Sequence, residues 1–155
     1  MKLTTKGRYA IIAMVDLAIN GVDEPAPLKE ISIRQKISLS YLEQLFSKLR
    51  ISELVKSIRG PGGGYMLNKS PSNLNLLDII TAVDEKIDQT QCGGAMNCIN
   101  DKPCLTHFIW TDLNNKINDY MREITLSDIT LRKDVQGIIF LRENKNVIRN
   151  QRSEK

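Results

Sequence analysis

The sequence predicts a mainly α fold with a small β wing, in which a helix-turn-helix unit is followed by a long helix. Three observations support this. Apolar residues recur at helical spacing within the first 50 residues, two short strand-prone runs flank a glycine-rich tip, and apolar residues spaced 3, 4, 3, 4 extend over residues 110–124. A chain of 155 residues is long enough to form a core from such elements.

The first two predicted helices lie before residue 36. From Tyr9, a predicted helix runs to Gly21, which is a natural helix stop. Its apolar residues recur at helical spacing and are Ile11, Ile12, Val15, Ala18 and Ile19. A loop over residues 22–27 leads into a second, shorter helix. Pro27 suits its first turn, and Glu30 complements the positive end of its dipole.

The third predicted helix, over residues 38–50, has the most regular pattern. Its inward stripe is apolar and consists of Leu42, Leu45, Phe46 and Leu49. Either Ser38 or Ser40 could cap this helix, and Ser40 with Glu43 has the spacing of a capping box. Because a tight break at residues 36–38 precedes it, the three helices match a helix-turn-helix pattern.

The outward face of this third helix is polar. It presents Ser40, Tyr41, Glu43, Gln44, Ser47 and Lys48. Glutamine can pair with adenine and glutamate can accept from the cytosine amino group, so such a face can read base edges. An ordinary solvated helix face explains the same residues equally well, and this helix alone does not decide between the two.

The segment after the third helix favours DNA binding. Residues 54–58 and 65–67 are strand candidates, and a side-chain-poor tip joins them, Arg59-Gly60-Pro61-Gly62-Gly63-Gly64. A backbone without side chains can approach a phosphate ridge closely, and arginine suits a narrow minor groove. A nucleotide-binding phosphate loop is excluded because no Gly-Lys-Ser/Thr follows the glycines. The hairpin and the helices together predict a winged helix-turn-helix DNA-binding domain over residues 1–83.

The second half of the chain is predicted to contain a linker and a helix that mediates dimerisation. Asn75 and Asp78 have capping-box spacing before a fourth helix, and a polar linker covers residues 84–91. Pro103 is well placed to start a long helix that runs to about Ile124. Its apolar residues have the spacing of a coiled-coil seam, namely Trp110, Leu113, Ile117, Tyr120 and Ile124. The alternative is that this helix packs on the chain's own body.

The remaining boundaries follow from local signals. Thr125 and Asp128 can cap a short helix that ends near Leu131. We expect residues 84–131 to form one unit of cysteine loop and dimerisation helices. Residues 132–155 are mostly polar and charged, and we expect them to form a largely disordered tail.

A candidate metal site lies between the linker and the long helix. Residues 92–107 contain all three cysteines and the only histidine, Cys92, Cys98, Cys104 and His107. Four such ligands are the number that zinc or an iron–sulfur centre requires. A helix starting at Pro103 would place Cys104 and His107 on one face. Three unrelated thiols near a stray histidine are the alternative, which the clustering disfavours.

Composition and charge limit the classes of function. No apolar run approaches the roughly 20 residues of a membrane span. The first six residues lack the apolar stretch of a signal peptide, so we expect a cytoplasmic protein with no membrane association. An odd number of cysteines there argues against a disulfide framework. Residues 1–70 carry 11 Lys and Arg against 6 Asp and Glu, and residues 71–131 carry 4 against 9. The basic front could meet a polyanion or simply be solvated.

Five segments together resemble the iron–sulfur cluster regulators of the Rrf-type winged-helix family. They are residues 3–10, 37–46, 55–65, 82–85 and 104–107, within a resemblance that covers residues 1–131. The resemblance implies a homodimer that binds double-stranded DNA at a palindromic operator. It also implies a [2Fe–2S] cluster held by Cys92, Cys98, Cys104 and His107. The assembly machinery for iron–sulfur clusters would be the donor of that cluster.

The resemblance further implies which residues meet DNA. Ser40, Glu43 and Gln44 would face the major groove, and Tyr41 and Lys6 would contact the backbone. Arg59 would enter the minor groove, flanked by Gly60 and Pro61. The regulated genes would be those of iron–sulfur cluster biogenesis, repressed or activated according to cluster occupancy.

Other functions fit parts of the same pattern. The same fold could sense nitric oxide or iron through another cluster type, although only three thiols exist for an all-cysteine site. A constitutive DNA-binding protein with a structural zinc site is a second alternative. A redox carrier or enzyme is a third, but no nucleotide motif, carboxylate pair or nucleophile–base arrangement supports catalysis. We therefore expect a regulator and not an enzyme.

Overall fold

The computed structural model describes residues 4–90 and 92–142. Its elements in chain order are α1 (Thr5–Asn20), α2 (Leu28–Gln35), α3 (Leu39–Ile51), β1 (Val55–Ile58), β2 (Gly64–Leu67), a 3-10 turn (Pro71–Asn73), α4 (Leu76–Ala82), α5 (His107–Glu123) and α6 (Leu126–Thr130). The mainly α fold with a small β wing is confirmed. Among the described residues, none of the helices has both the length and the hydropathy that a membrane span requires.

The first three helices pack around one apolar core. Met14 and Leu17 of α1, Ile31 of α2, and Leu42 and Phe46 of α3 are fully buried. Burying each such side chain contributes roughly 1.5–3 kcal/mol relative to leaving it exposed. Leu42 and Phe46 belong to the stripe predicted for α3, and the helix-turn-helix arrangement is confirmed. The stripe predicted for α1 is wrong except at Ala18, because Met14 and Leu17 face the core while Ile12 is 40% exposed.

A buried ion pair joins α1 to α2, and sequence reasoning missed it. Asp16 is only 2% exposed although it carries a carboxylate. Arg34 donates to Asp16 Oδ1 at 2.7 Å, and Gln35 donates to its other oxygen. An acidic residue in an amphipathic helix is normally assigned to the solvent face, and the partner 18 residues away gives no local signal.

The wing is an antiparallel hairpin that docks on the helices. Val55 pairs with Leu67, and Ile58 pairs with Gly64. The segment before α2, predicted as a loop, adds a bridge in which Ala26 and Tyr65 exchange two backbone hydrogen bonds of 2.9 Å. A Cβ on Gly64 would lie 2.5 Å from the carbonyl carbon of Ala26, so glycine there permits this close approach.

Capping side chains fix several helix starts. Ser38, not Ser40, is the N-cap of α3, and its hydroxyl accepts a bond from the Tyr41 N–H. Because helix α3 begins at Leu39, the capping box of Ser40 with Glu43 is wrong. The predicted caps at Asn75 and Thr125 are confirmed, and the latter is a full capping box with Asp128.

The long helix starts later than predicted. It begins at His107, not at Pro103, so Cys104 lies outside it. The reason is a tight turn upstream, where Ile99 and Lys102 exchange backbone hydrogen bonds of 3.0 and 2.9 Å. A further turn, closed by the His107 N–H on the Cys104 carbonyl at 3.1 Å, leads into the helix.

The structure joins the two predicted units through α6. Leu126 is fully buried in the core formed by the first half. Backbone bonds also run from the Leu76 N–H to the Ile124 carbonyl and from the Leu126 N–H to the Leu74 carbonyl. The predicted boundary at residue 83 therefore does not separate two cores. Residues 133–142 are helical where a disordered tail was expected, and residues 143–155 lie outside the described residues.

Candidate metal centre and nucleic-acid interface

Three of the four predicted ligands converge beside the start of α5. One ligand atom from each of Cys92, Cys98 and His107 lies within 4.8 Å of the others. The two sulfur atoms are 3.4 Å apart, and Nδ1 of His107 is 3.5 Å from each of them. His107 is 2% exposed, because its position in the first turn of α5 places it beneath the cysteine loop. Soft thiolates with one imidazole suit zinc or an iron–sulfur centre.

The fourth predicted ligand lies next to this group. Cys104 is not one of the three converging residues, and its sulfur lies 3.7 Å from the Thr106 hydroxyl. It nevertheless lines one cavity of about 310 Å³ together with Cys98 and His107. Three of the four predicted ligands, Cys98, Cys104 and His107, therefore border a common space.

Polar groups of the linker hold the cysteine loop, although the sequence indicated only a linker there. The Asp88 carboxylate accepts bonds from Thr90 and, at 2.8 Å, from Asn114 of α5. The Thr90 hydroxyl accepts from the Gly94 N–H at 2.8 Å. Gly93 and Gly94 have φ values of +60° and +82°, which favour glycine. These bonds fasten the linker and the loop to α5.

The three thiols differ in acidity. Burial disfavours the Cys92 thiolate, but hydrogen bonds from the Cys98 thiol, from backbone N–H groups and from Thr90 outweigh it and lower the pKa of Cys92 to about 6. The Thr106 hydroxyl and N–H lower the pKa of Cys104. A hydrogen bond from the Cys104 backbone lowers the pKa of Cys98. Burial and the neighbouring sulfur atoms outweigh this bond and raise that pKa. Metal ligands must be deprotonated, so Cys92 is prepared for binding at neutral pH.

This difference predicts selective alkylation of the metal-free protein. A lowered pKa means that Cys92 is mostly thiolate at pH 7 and loses reactivity as the pH falls through about 6. With limiting iodoacetamide at pH 7, mass spectrometry of the peptides should find Cys92 modified before Cys98. Equal modification of both thiols at pH 7, rising together only above pH 8, would contradict the assignment.

The predicted base-reading residues lie on one accessible face. Ser40, Glu43 and Gln44 of α3 are exposed, and Tyr41 beside them is half-buried. Its ring packs edge-on against Tyr9, with centroids 6.0 Å apart. A helix of 13 residues with this polar face fits the dimensions of a major groove.

The wing tip projects its arginine without a competing acid. Arg59, Gly60 and Pro61 are exposed, and Arg59 makes no ion pair within residues 4–90 and 92–142. Gly60 has φ +107° and Gly62 has φ +72°, so the tip turns through conformations that side chains resist. The guanidinium is therefore available to a polyanion.

The start of the linker, at Asp84 and Glu85, contacts α3 and the beginning of α1. Asp84 forms an ion pair with Lys48 of α3, and its carbonyl accepts from the Lys6 ammonium at 3.1 Å. The Lys48 hydrogen bond is the main cause that lowers the pKa of Asp84. Glu85 accepts from the N–H and hydroxyl of Thr4. Lys6, predicted to contact the DNA backbone, is thus engaged by the linker in the free chain.

The outer side of α5 is an unusually apolar surface. Within this helix only His107 is buried. Several large apolar side chains are at least one-third exposed, namely Phe108, Ile109, Trp110, Leu113 and Tyr120. Contiguous exposed apolar surface of this kind typically marks a protein interface. Of the predicted seam, Trp110, Leu113 and Tyr120 are exposed. Ile117 is half-buried, and Ile124 packs against the main core, so the alternative of packing on the chain's own body holds at that end of the seam.

Comparison with known proteins identifies the family. The model of the family described as "Rrf2: Iron-dependent Transcriptional regulator" matches residues 3–132. The HTH-type transcriptional regulator IscR of Erwinia tasmaniensis is 48% identical over 149 residues, which are 96% of this chain and 90% of that protein.

Solved structures agree with this relationship. IscR of T. potens is 36% identical, with a TM-score of 0.67 over 83% of this chain and 85% of that one. CymR, the global cysteine regulator of B. subtilis, is 33% identical, with a TM-score of 0.72 over 83% of this chain and 95% of that one. These relatives are transcription regulators with the same helix-turn-helix and wing. The chain therefore belongs to the Rrf2 family and is a DNA-binding transcription regulator, not an enzyme.

Proposed function

We propose that this regulator senses iron–sulfur cluster status through a [2Fe–2S] cluster held by Cys92, Cys98, Cys104 and His107. The observation that carries the proposal is the convergence of two thiols and Nδ1 of the buried His107 at 3.4–3.5 Å. The cavity that Cys104 shares with Cys98 and His107 supports its place as the fourth ligand. A bound cluster supplies a group that responds to iron and to oxygen. A histidine ligand is more readily lost than a thiolate because it can be protonated.

The ligands connect the loop to the DNA-binding face through the linker. With all four engaged, residues 92–104 are fixed on the start of α5. Without a bound cluster, the loop keeps the hydrogen bonds that Asp88 and Thr90 accept. The other end of the linker, at Asp84, contacts Lys48 of α3 and Lys6 of α1. Ordering the loop can therefore bias the position of the recognition helix relative to α5.

The DNA partner is a palindromic operator bound by a homodimer. The exposed apolar side of α5 supports a second copy as the partner of this helix, and a two-fold dimer matches a two-fold operator. Ser40, Glu43 and Gln44 would read the major groove and Arg59 the minor groove. The iron–sulfur assembly machinery would donate the cluster in the cytoplasm. Its biogenesis genes would be repressed or activated according to cluster occupancy.

The experiment that tests this function compares the two cluster states on DNA. Cluster-loaded and cluster-free protein should be titrated anaerobically against a randomised operator library at one fixed salt concentration. We expect the two states to select different operator sets. Identical selection and affinity in both states would show that occupancy does not set promoter choice.

Glu43 is expected to restrict which operators are bound. Its carboxylate attracts a cytosine amino group but is repelled by phosphates and by guanine or thymine acceptors. Because Ser38 caps α3 and Glu43 is exposed, Glu43→Ala should change the free energy of unfolding by less than about 0.5 kcal/mol. It should broaden the operator set and tighten binding to some poor sites.

Ser38→Ala is the matched control for this variant. Loss of its cap should cost about 1 kcal/mol of stability without changing the sequence preference. Thermal unfolding and library selection should be measured on both variants. If Glu43→Ala instead weakens binding to every sequence alike, the role of Glu43 in excluding operators is wrong.

A further inference from the structure

The two ring nitrogens of His107 face different partners. Nδ1 points to the thiols, at 3.5 Å from the sulfur atoms of Cys92 and Cys98. Nε2 lies on the other side of the ring, 3.4 Å from the hydroxyl oxygen of Thr111. Thr111 is four residues further along α5, so the helix itself brings it over the ring.

The hydroxyl of Thr111 can act only as an acceptor toward this ring. Its single proton is donated to the backbone carbonyl of His107, at an oxygen–oxygen distance of 3.0 Å. Its remaining lone pairs can accept a hydrogen bond from Nε2, and this contact favours the neutral tautomer that carries the ring proton on Nε2. The free lone pair is then on Nδ1, on the side where the two thiols lie.

We propose that Thr111 is a positioning residue of the metal centre. It fixes the Nε2–H tautomer of His107 and so directs Nδ1, not Nε2, to the cluster. This inference rests on the proposed function and deepens it, because it assigns the ligating atom and the residue that selects it. Ligating histidines generally donate their other ring N–H to a neighbouring acceptor, which fixes the tautomer and the ring orientation.

The same geometry explains why a threonine suits this position. Valine has nearly the same shape but no acceptor, so Thr111→Val removes the hydrogen bond and keeps the volume. Serine keeps the hydroxyl, so Thr111→Ser should preserve the tautomer. The pair of variants separates the hydrogen bond from packing at a position that is only half-buried.

Nuclear magnetic resonance of the metal-free protein gives the first readout. His107 is the only histidine, so protein labelled with 15N-histidine gives the signals of one ring. Because the Cys92 thiolate could itself accept a proton from Nδ1, all samples carry Cys92→Ala and Cys98→Ala. In this background, at alkaline pH, we expect the Nε2–H tautomer with Thr111 in place and with Thr111→Ser. In Thr111→Val the ratio of Nδ1–H to Nε2–H should rise about fivefold, the effect of one hydrogen bond. In the same background, a predominant Nδ1–H form with Thr111 in place, or the same ratio in a folded Thr111→Val variant, would overturn the proposal.

Pulsed electron paramagnetic resonance of the reduced, loaded protein gives the second readout. With 15N placed only at Nδ1 of histidine, the strongly coupled nitrogen should be 15N. A strongly coupled 14N would assign Nε2 as the ligand and overturn the inference while leaving the proposed function intact. A preparation with no cluster signal would contradict the proposed function, and the metal-free spectrum would still decide the tautomer.

Discussion

Replacing Cys98 with alanine is expected to bleach the anaerobically isolated protein and to abolish its bound iron and acid-labile sulfide. Cys98 is one of the converging residues of the proposed set, with its sulfur 3.4 Å from that of Cys92 and 3.5 Å from Nδ1 of His107. It also lines the cavity that Cys104 borders. Three remaining ligands cannot complete the coordination that a [2Fe–2S] cluster requires. Visible absorbance with iron and sulfide analysis measures the effect.

The neighbouring Asn97→Ala variant is the matched control for Cys98→Ala. Asn97 is exposed in the same loop and carries no thiol, so its replacement should leave the cluster in place. Neither position belongs to the hydrophobic core, so the helical circular dichroism of both variants should match the wild type. A Cys98→Ala protein that retains wild-type iron and sulfide would remove Cys98 from the ligand set.

Arg59→Ala is expected to weaken operator binding by about 1–3 kcal/mol, which is roughly 5- to 150-fold in affinity. The Arg59 side chain is exposed at the base of a glycine-rich tip and has no ion pair among the described residues, so DNA would be its main partner. An arginine in a narrow minor groove meets an enhanced negative potential. Fluorescence anisotropy at one fixed salt concentration measures the loss.

Two further variants separate the effect of the position of Arg59 from the effect of its positive charge. Lys69→Ala removes one exposed positive charge just beyond β2 and should cost much less than Arg59→Ala. Arg59→Lys keeps the charge but loses the planar fork, and it should fall between wild type and Arg59→Ala. Folding and dimerisation should be unchanged in all three. If Arg59→Ala binds the operator with wild-type affinity, the hairpin is not a DNA contact.

The helix-turn-helix and the wing could be predicted because their signals are local. The core stripe of α3, with Leu42, Leu45 and Leu49, repeats at helical spacing, and each of these residues is buried in the structure. The glycine-rich run after Arg59 marks the hairpin tip just as directly. Such patterns depend on neighbours a few residues apart, so the sequence alone contains them.

The incorrect predictions concern features that depend on contacts outside the local sequence pattern. Helix α5 starts at His107, and residues 99–102 form a tight turn that the position of Pro103 does not reveal. Leu126 belongs to the main core only because backbone bonds near Leu74 and Leu76 bring α6 there. The helix over residues 133–142 contradicts a prediction based on polar composition. Arg132 and Asp134 form an ion pair at its start, and the Gln136 N–H donates to the Arg132 carbonyl.

The candidate site was predictable in its members but not in its arrangement. Clustering of three cysteines and one histidine predicted candidate ligands, and three of these four residues converge in the structure. It did not predict that Cys104 would lie outside the helix, nor that Asp88 and Thr90 would hold the loop. The contact of Asp84 with Lys48 joins residues 36 positions apart in the chain. No spacing rule connects them, although this contact carries the proposed coupling between loop and recognition helix.

The central claim, a [2Fe–2S] cluster in a DNA-binding regulator, is tested most directly by anaerobic purification followed by a visible spectrum and by iron, sulfide and zinc analysis of the same sample. We expect a coloured protein with two iron atoms and two acid-labile sulfides per chain, the content of a [2Fe–2S] cluster. Zinc is colourless and needs no sulfide. A colourless protein that contains one zinc per chain and no sulfide would contradict the account.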